Sequence, residues 1–497
     1  MSNTKYNSLP GAKPHPAYGT PPLDKGRGRG WGLFLLLGTL LLSACVAQED
    51  KEVLFSDTEL AIIKTLIYQD MPDDPTSRWD QNAGAATLGQ KFFWDKRFSG
   101  EILMQGNRTV GFSAGSYGTL TSGQINCATC HDPNFGWADG VTKPNNLSLG
   151  ANFTDRNSPT ILNTVANEWS LWDGAADSPW SLIRAPIEGG PHNFGRLGVA
   201  YLICTLYASE YDAVFDDNNL ATGSFTSTLC NTGATANTTE IQDAYVNACN
   251  PVGGTAGSRN YGKPGQSCYD NLSTATPDTK GAVNTIFANF MKAIAAYERL
   301  IVSKNSSFDQ WVAGNENAMT ASQKRGLKVF IGKGNCIRCH SGSNFTDGKF
   351  HNLGVPQLLL VGSSYDEGRS TGISSKLLNT SSGNGFFSTA SPYNDGTINR
   401  VTGLSAQTAD VGAFKTPTLR SVSKTGPYFH NGTVNSLWDV VNFYNFAGNA
   451  GNFPGTKDSV LTTRRMTNEE LEDLVNFLKA LDGEALATTI TTSPTLP

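Results

Sequence analysis

The sequence predicts a mainly α-helical protein made of two similar halves, and three observations carry that reading. The pentapeptide CATCH at 127–131 returns as CIRCH at 336–340. The clearest periodicities are helical: residues 281–303 alternate apolar and polar positions at helical spacing, and Leu437, Val440, Val441 and Tyr444 fall on one helix face. A helix-forming stretch leads into each pentapeptide, TLGQKFFWDKRFSG before the first and TASQKRGLKVFIGKGN before the second.

Taken in order, the chain opens on a basic segment with Lys25, Arg27 and Arg29, then the apolar run LFLLLGTLLLSA ending at Cys45. That run is too short to span a bilayer comfortably and reads as a signal-peptide core, so residues 1–44 are expected to be removed. Leu42-Ser43-Ala44-Cys45 resembles a bacterial lipobox, which implies a lipid on Cys45 as the only membrane attachment, and a periplasmic chain. A short helix is expected in ELAIIKTLIYQ. Residues 45–295 form an N-terminal domain, with an Asn/Thr/Gly-rich surface insertion at about 215–280. Residues 296–483 form a C-terminal domain, in which Thr467 and Glu470 make a capping box. Residues 484–497 read as a flexible tail. The net charge of −5 over 497 residues argues against a nucleic-acid partner.

Nine cysteines need assignment. Cys45 goes to lipid and four belong to the pentapeptides. Cys204, Cys230, Cys249 and Cys268 remain, an even number in an exported chain, and imply two disulfides with three possible pairings.

CxxCH could hold zinc, run thiol–disulfide exchange or carry a covalent haem. Zinc wants a fourth ligand and paired CxxC units, and a redox dithiol wants a βαβ setting; neither is present. Covalent haem attachment needs this spacing, because two thioethers fix the porphyrin and the adjacent histidine reaches the iron. Cys127, Cys130 and His131 are therefore expected to hold one haem c, and Cys336, Cys339 and His340 another. Each half then reads as a cytochrome c-like domain.

The segments LGQKFFWDKRFS, CATCHDPNFGWADG, RNSPTILN, WDG, CIRCHSG, FHNLGVP and FKTPTLRSVSKTGPYFHNG, spread over about 85–482, resemble the bacterial di-haem cytochrome c peroxidases and the related MauG-type enzymes. The resemblance implies hydrogen peroxide reduction at the N-terminal haem and electron relay by the C-terminal one. It implies a bridging tryptophan at Trp172. It also implies a calcium ion held by Asn157 and by the carbonyls of Thr425 and Pro427.

Departures from the family pattern are informative. Ala151 stands where many members carry a loop histidine that caps the N-terminal iron, so reductive uncapping is expected to be missing. Tyr444 stands where those members carry a methionine ligand to the C-terminal iron, as in MauG-type enzymes; a phenolate is a hard anion that favours the more oxidised metal. The family's acid–base glutamate is replaced by His192, which could serve as acid–base group, iron ligand or structural residue, with Glu188 in reserve. His351 and His430 are expected as hydrogen-bonding supports near the C-terminal haem, and Arg420 as a partner for a haem propionate. The expected activity is that of an exported di-haem oxidoreductase drawing electrons from a protein or another donor. The alternatives are an ordinary cytochrome c peroxidase that detoxifies peroxide and a non-catalytic electron-transfer cytochrome.

Overall fold

A computed structural model describes residues 53–101, 123–140, 147–215, 236–249, 260–275, 278–357, 365–448 and 451–497. The expected export signal, Cys45 and Cys230 lie outside the described residues. Seven helices position the site: α1 (Asp57–Lys64), α2 (Ala83–Trp94), α3 (Arg196–Leu206), α4 (Thr279–Glu298), α5 (Ala321–Ile331), α6 (Leu437–Asn445) and α7 (Asn468–Lys479). The chain is mainly helical, and the described residues hold one short sheet, β1 (Phe350–His351) antiparallel to β2 (Phe414–Lys415).

Each half is built on a pair of helices that cross at a glycine. A Cβ on Gly89 of α2 would lie 1.8 Å from the carbonyl oxygen of Ala293 on α4. A Cβ on Gly326 of α5 would lie 1.9 Å from the carbonyl oxygen of Asp473 on α7. Only glycine permits that approach, so the same crossing recurs in both halves. Around the first crossing Phe92, Phe98, Phe290 and Tyr207 pack ring against ring. Around the second, Phe330, Phe345, Phe308 and Phe477 do the same. Each fully buried ring contributes about 1.5–3 kcal/mol. α7 begins at the capping box read from sequence: the Glu470 amide donates to Thr467 Oγ1 and the Thr467 amide to Glu470 Oε2.

The two ends of the chain are exchanged between the cores. Ile63 of α1 and the adjacent Leu66 are buried in the second core, although they precede the first in sequence. The tail, expected to be loose, is instead docked on the first half. Leu486 and Ile490 pack against its core, and Tyr297 and Gln90 bond to the carbonyls of Ile490 and Thr489. The apolar Leu486 and Ile490 account for the difference.

Of the 215–280 segment, expected as a surface insertion, the described residues Ile241, Tyr245, Cys249, Tyr261 and Tyr269 are instead buried in the first core. Ile241, Tyr245 and Cys249 share one helical face, which is why the segment packs inward. Cys249 is bonded to Cys268, and Cys204 is also disulfide-bonded.

Candidate functional site

The two CxxCH segments fold alike. Each forms a single 3₁₀ turn, Cys127–Thr129 and Cys336–Arg338. In each, the histidine amide donates to the carbonyl of the first cysteine at 2.9 Å, His131 to Cys127 and His340 to Cys336. This hairpin puts two thiols and an imidazole on one side of the backbone loop. In each half the histidine Nδ1 faces a backbone carbonyl, His131 that of Trp137 at 3.3 Å and His340 that of Phe345 at 3.0 Å. Trp137 and Phe345 both have positive φ, 57° and 50°, which turns those carbonyls toward the rings. An anchored Nδ1–H leaves Nε2 as the metal-binding nitrogen. Burial holds both rings below the usual histidine range, so they are neutral as ligation requires.

None of the four motif cysteines is in a disulfide. Burial pushes the Cys130 and Cys336 thiols up to about 12, the reverse of an exchange-active thiolate. Both motifs line one cavity of about 1130 Å³. Single small-molecule pockets run at about 300–1,000 Å³, so this one has room for more than a small substrate. Paired thiols, an anchored imidazole and a large cavity fit a covalent haem at each motif.

The same cavity is lined by His192, Glu188, Trp172, Asn157, Thr425, Pro427 and Tyr444. The residues picked from sequence for haem attachment, catalysis and calcium thus share one cavity, and Arg420 is not among those lining it. His192 is 4% exposed, and its Nδ1 sits 3.0 Å from the carbonyl of Phe98. Its segment is held on several sides: its amide donates to Pro186, its carbonyl accepts from Gly100, and the adjacent Pro191 carbonyl accepts from Ala151. Burial, with the nearby His131 adding to it, lowers its pKa to about 4. The ring is neutral at physiological pH, and Nε2 has no protein partner among the described residues.

Glu188 is differently placed. Arg196 binds both its oxygens, at 2.7 and 3.0 Å, and Arg184 lies at 2.8 Å. Burial alone would raise its pKa, but the two guanidinium groups overcome this and hold it below the usual range. It is a fixed, neutralised carboxylate. Ala151 is fully buried, in a loop paired with the His192 segment.

Trp172 donates its indole N–H to the Asn157 carbonyl at 2.8 Å. Asn157 in turn donates from Nδ2 to the Pro427 carbonyl at 2.7 Å, while its Oδ1 is buried without a donor. The Thr425 hydroxyl donates to the Val422 carbonyl, and of the expected calcium set Asn157 and Pro427 are hydrogen-bonded to each other. Tyr444 lies on α6, past the buried Leu437 and Val441. Burial raises its pKa, and the residue lines the cavity together with Cys336, Cys339 and His340.

His351 is bracketed by Asp347 at 2.9 Å and Asp458 at 2.7 Å, and Asp347, followed by Cys339 and Asp458, raises its pKa to about 11. His430 stacks on Phe414 at 3.6 Å. Arg420 does not match its expected role: both its terminal nitrogens pair with Asp309 and its Nε bonds to the Ser343 carbonyl. Sequence reading missed Arg184 and Arg196, which disable Glu188 as a proton carrier, and Asp347 and Asp458, which bracket His351. Arg184 lies four residues before Glu188 and Asp347 four before His351, a spacing that could have flagged both; Arg196, which opens the next helix, and Asp458 gave no such signal.

A cavity carrying two haem-attachment motifs and histidine-rich walls defines a di-haem c-type oxidoreductase. Residues 83–317 match the di-haem cytochrome c peroxidase family, a peroxidase-type oxidoreductase family whose cofactors are two haem c groups. It is 28% identical over 412 residues to cytochrome-c peroxidase IdrP1 of Denitromonas iodatirespirans, covering 80% of this chain and 81% of that one. It is 25% identical over 472 residues to methylamine utilization protein MauG of Methylorubrum extorquens, covering 94% and 97%. It is 24% identical over 457 residues to cytochrome c551 peroxidase of Pseudomonas aeruginosa, covering 90% and 92%. Members of the family are periplasmic, and no helix among the described residues is long and apolar enough to cross a membrane.

Proposed function

We propose that the protein reduces hydrogen peroxide at the Cys127–Cys130–His131 site without prior reduction, and passes oxidising equivalents through Trp172 to a Tyr444-ligated second site. The observation that carries this reading is the single cavity lined by both motifs, His192, Trp172 and Tyr444. The haem groups, when bound, supply the redox-active iron. The chain's own residues do the rest. His131 and His340 offer Nε2 because their Nδ1 atoms are tied to backbone carbonyls. His192 takes the proton from one peroxide oxygen on Nε2 and returns it to the other as the O–O bond breaks. Glu188 cannot share this work, since two arginines hold its charge. Trp172 sits on the cavity wall with its N–H fixed, which holds the ring in one orientation.

Ala151 supports the open first site, because its methyl side chain cannot bind iron. The donor is a protein or another one-electron reductant, and a calcium ion between Asn157, Thr425 and Pro427 would give the unpaired Asn157 Oδ1 a partner. Lipid attachment at Cys45 remains part of the proposal. The test is peroxide addition to the fully oxidised holoprotein. Immediate consumption supports the reading. A reaction that starts only after one-electron reduction overturns it in favour of an ordinary, reductively activated peroxidase.

A further inference from the structure

We propose that Trp94 and Tyr297 form a second redox exit, distinct from Trp172, through which a one-electron donor at the protein surface refills the first haem site. The inference rests on the peroxidase reading above. Trp94 ends α2, and Tyr297 and Glu298 end α4, so the glycine-mediated crossing of these helices brings them together. The Asn126 side chain, one residue before Cys127, donates to the Trp94 carbonyl at 2.8 Å. Trp94 is thereby fixed to the haem-attachment loop. Tyr297 is 1% exposed, and the adjacent Glu298 lines the cavity together with Cys127. The Trp94 indole N–H donates to the Tyr297 hydroxyl at 3.3 Å. Phe93 packs on both rings, at 5.2 Å from Tyr297 and 6.0 Å from Trp94, and keeps water from between them. Trp94 itself is partly exposed. A continuous path therefore runs from the Cys127 side of the cavity to solvent.

The two residues have different parts. The Tyr297 hydroxyl donates to the Ile490 carbonyl. A carbonyl is no base, so the phenol cannot shed its proton on oxidation and Tyr297 bridges without holding the charge. An indole can be oxidised with its N–H in place, so Trp94 is where the charge rests. One peroxide takes up two electrons and two protons and leaves two waters. An electron drawn from Trp94 leaves the indole one electron short, its N–H still shared with Tyr297, until an external donor returns the electron. Trp169 offers a contrast. The guanidinium of Arg369 lies 4.3 Å from its ring centre and opposes positive charge there. Among the described residues no cation covers Trp94.

The test adds one equivalent of hydrogen peroxide to the holoprotein without donor and maps oxidised residues by peptide mass spectrometry. Peroxide consumption is followed in the same sample. Trp94 should gain oxygen ahead of the partly exposed Trp79 and Trp311. Trp94→Phe should prolong the oxidised state severalfold, and Tyr297→Phe, which keeps the ring and removes the bridge, should lower Trp94 oxidation severalfold. Peroxide consumed with Trp94 unmodified, and an unchanged lifetime in Trp94→Phe, would overturn this exit alone. No peroxide consumption would overturn the peroxidase reading and this exit with it.

Discussion

Replacing His192 by alanine probes the proposed chemistry at its least redundant point. The ring is buried, its Nδ1 is committed to Phe98, and the one alternative carboxylate is locked by Arg184 and Arg196. A positioned acid–base group contributes about 10²–10⁴-fold, so the alanine variant should react with peroxide slower by that factor. The structure also sets the pH profile. Lowering the pKa from 6.5 to about 4 corresponds to about 3 kcal/mol in favour of the neutral ring. The reactive neutral form then predominates above about pH 5, and the rate should fall tenfold per unit below about pH 4. Folding stability follows the same sign: the contribution is complete above 6.5, where the unfolded ring is also neutral, and drains away as pH falls toward 4. Stopped-flow mixing of holoprotein with peroxide across pH 4–8 measures the rate. A rate unchanged or increased in His192→Ala would refute the acid–base role, and an increase would identify His192 as a ligand that closes the first iron.

The remaining predictions address other parts of the account. Gly89→Ala and Gly326→Ala each force a methyl group into a facing backbone carbonyl, so each should cost about 1–3 kcal/mol or more in a denaturant titration. Tyr444→Phe should change the electronic spectrum of the second haem alone, since the proposal makes Tyr444 a ligand of that iron; a change at the first haem would argue against ligation. Calcium chelation should lower the thermal midpoint of the parent protein and leave that of Asn157→Ala unmoved, since Asn157 carries the unpaired oxygen.

Much of the site was legible because its chemistry is local. CxxCH needs five consecutive residues, and both copies fold into the same turn. The capping box at Thr467 and the apolar face of α6 are equally local, and both form as read. What escaped depends on contacts between distant segments. Nothing near Glu188 in the chain says that Arg196, from the next helix, will also close on its carboxylate inside the first core. The tail looked loose because Leu486 and Ile490 are isolated apolar residues, and their partners on α2 and α4 lie some 190–400 positions away. Arg420 looked like a propionate partner only because Asp309, which holds it, comes from another helix.

The central claim is that two dissimilar iron sites share one cavity, the first open beside His192 and the second closed by Tyr444. The measurement that tests it most directly is the electron paramagnetic resonance spectrum of the resting, fully oxidised holoprotein. The account predicts one high-spin ferric signal, from an iron with a free coordination position, and one low-spin signal, from an iron held by His340 and Tyr444. Two low-spin signals with no high-spin iron would contradict it, and would mark the protein as an electron-transfer cytochrome whose first site is capped.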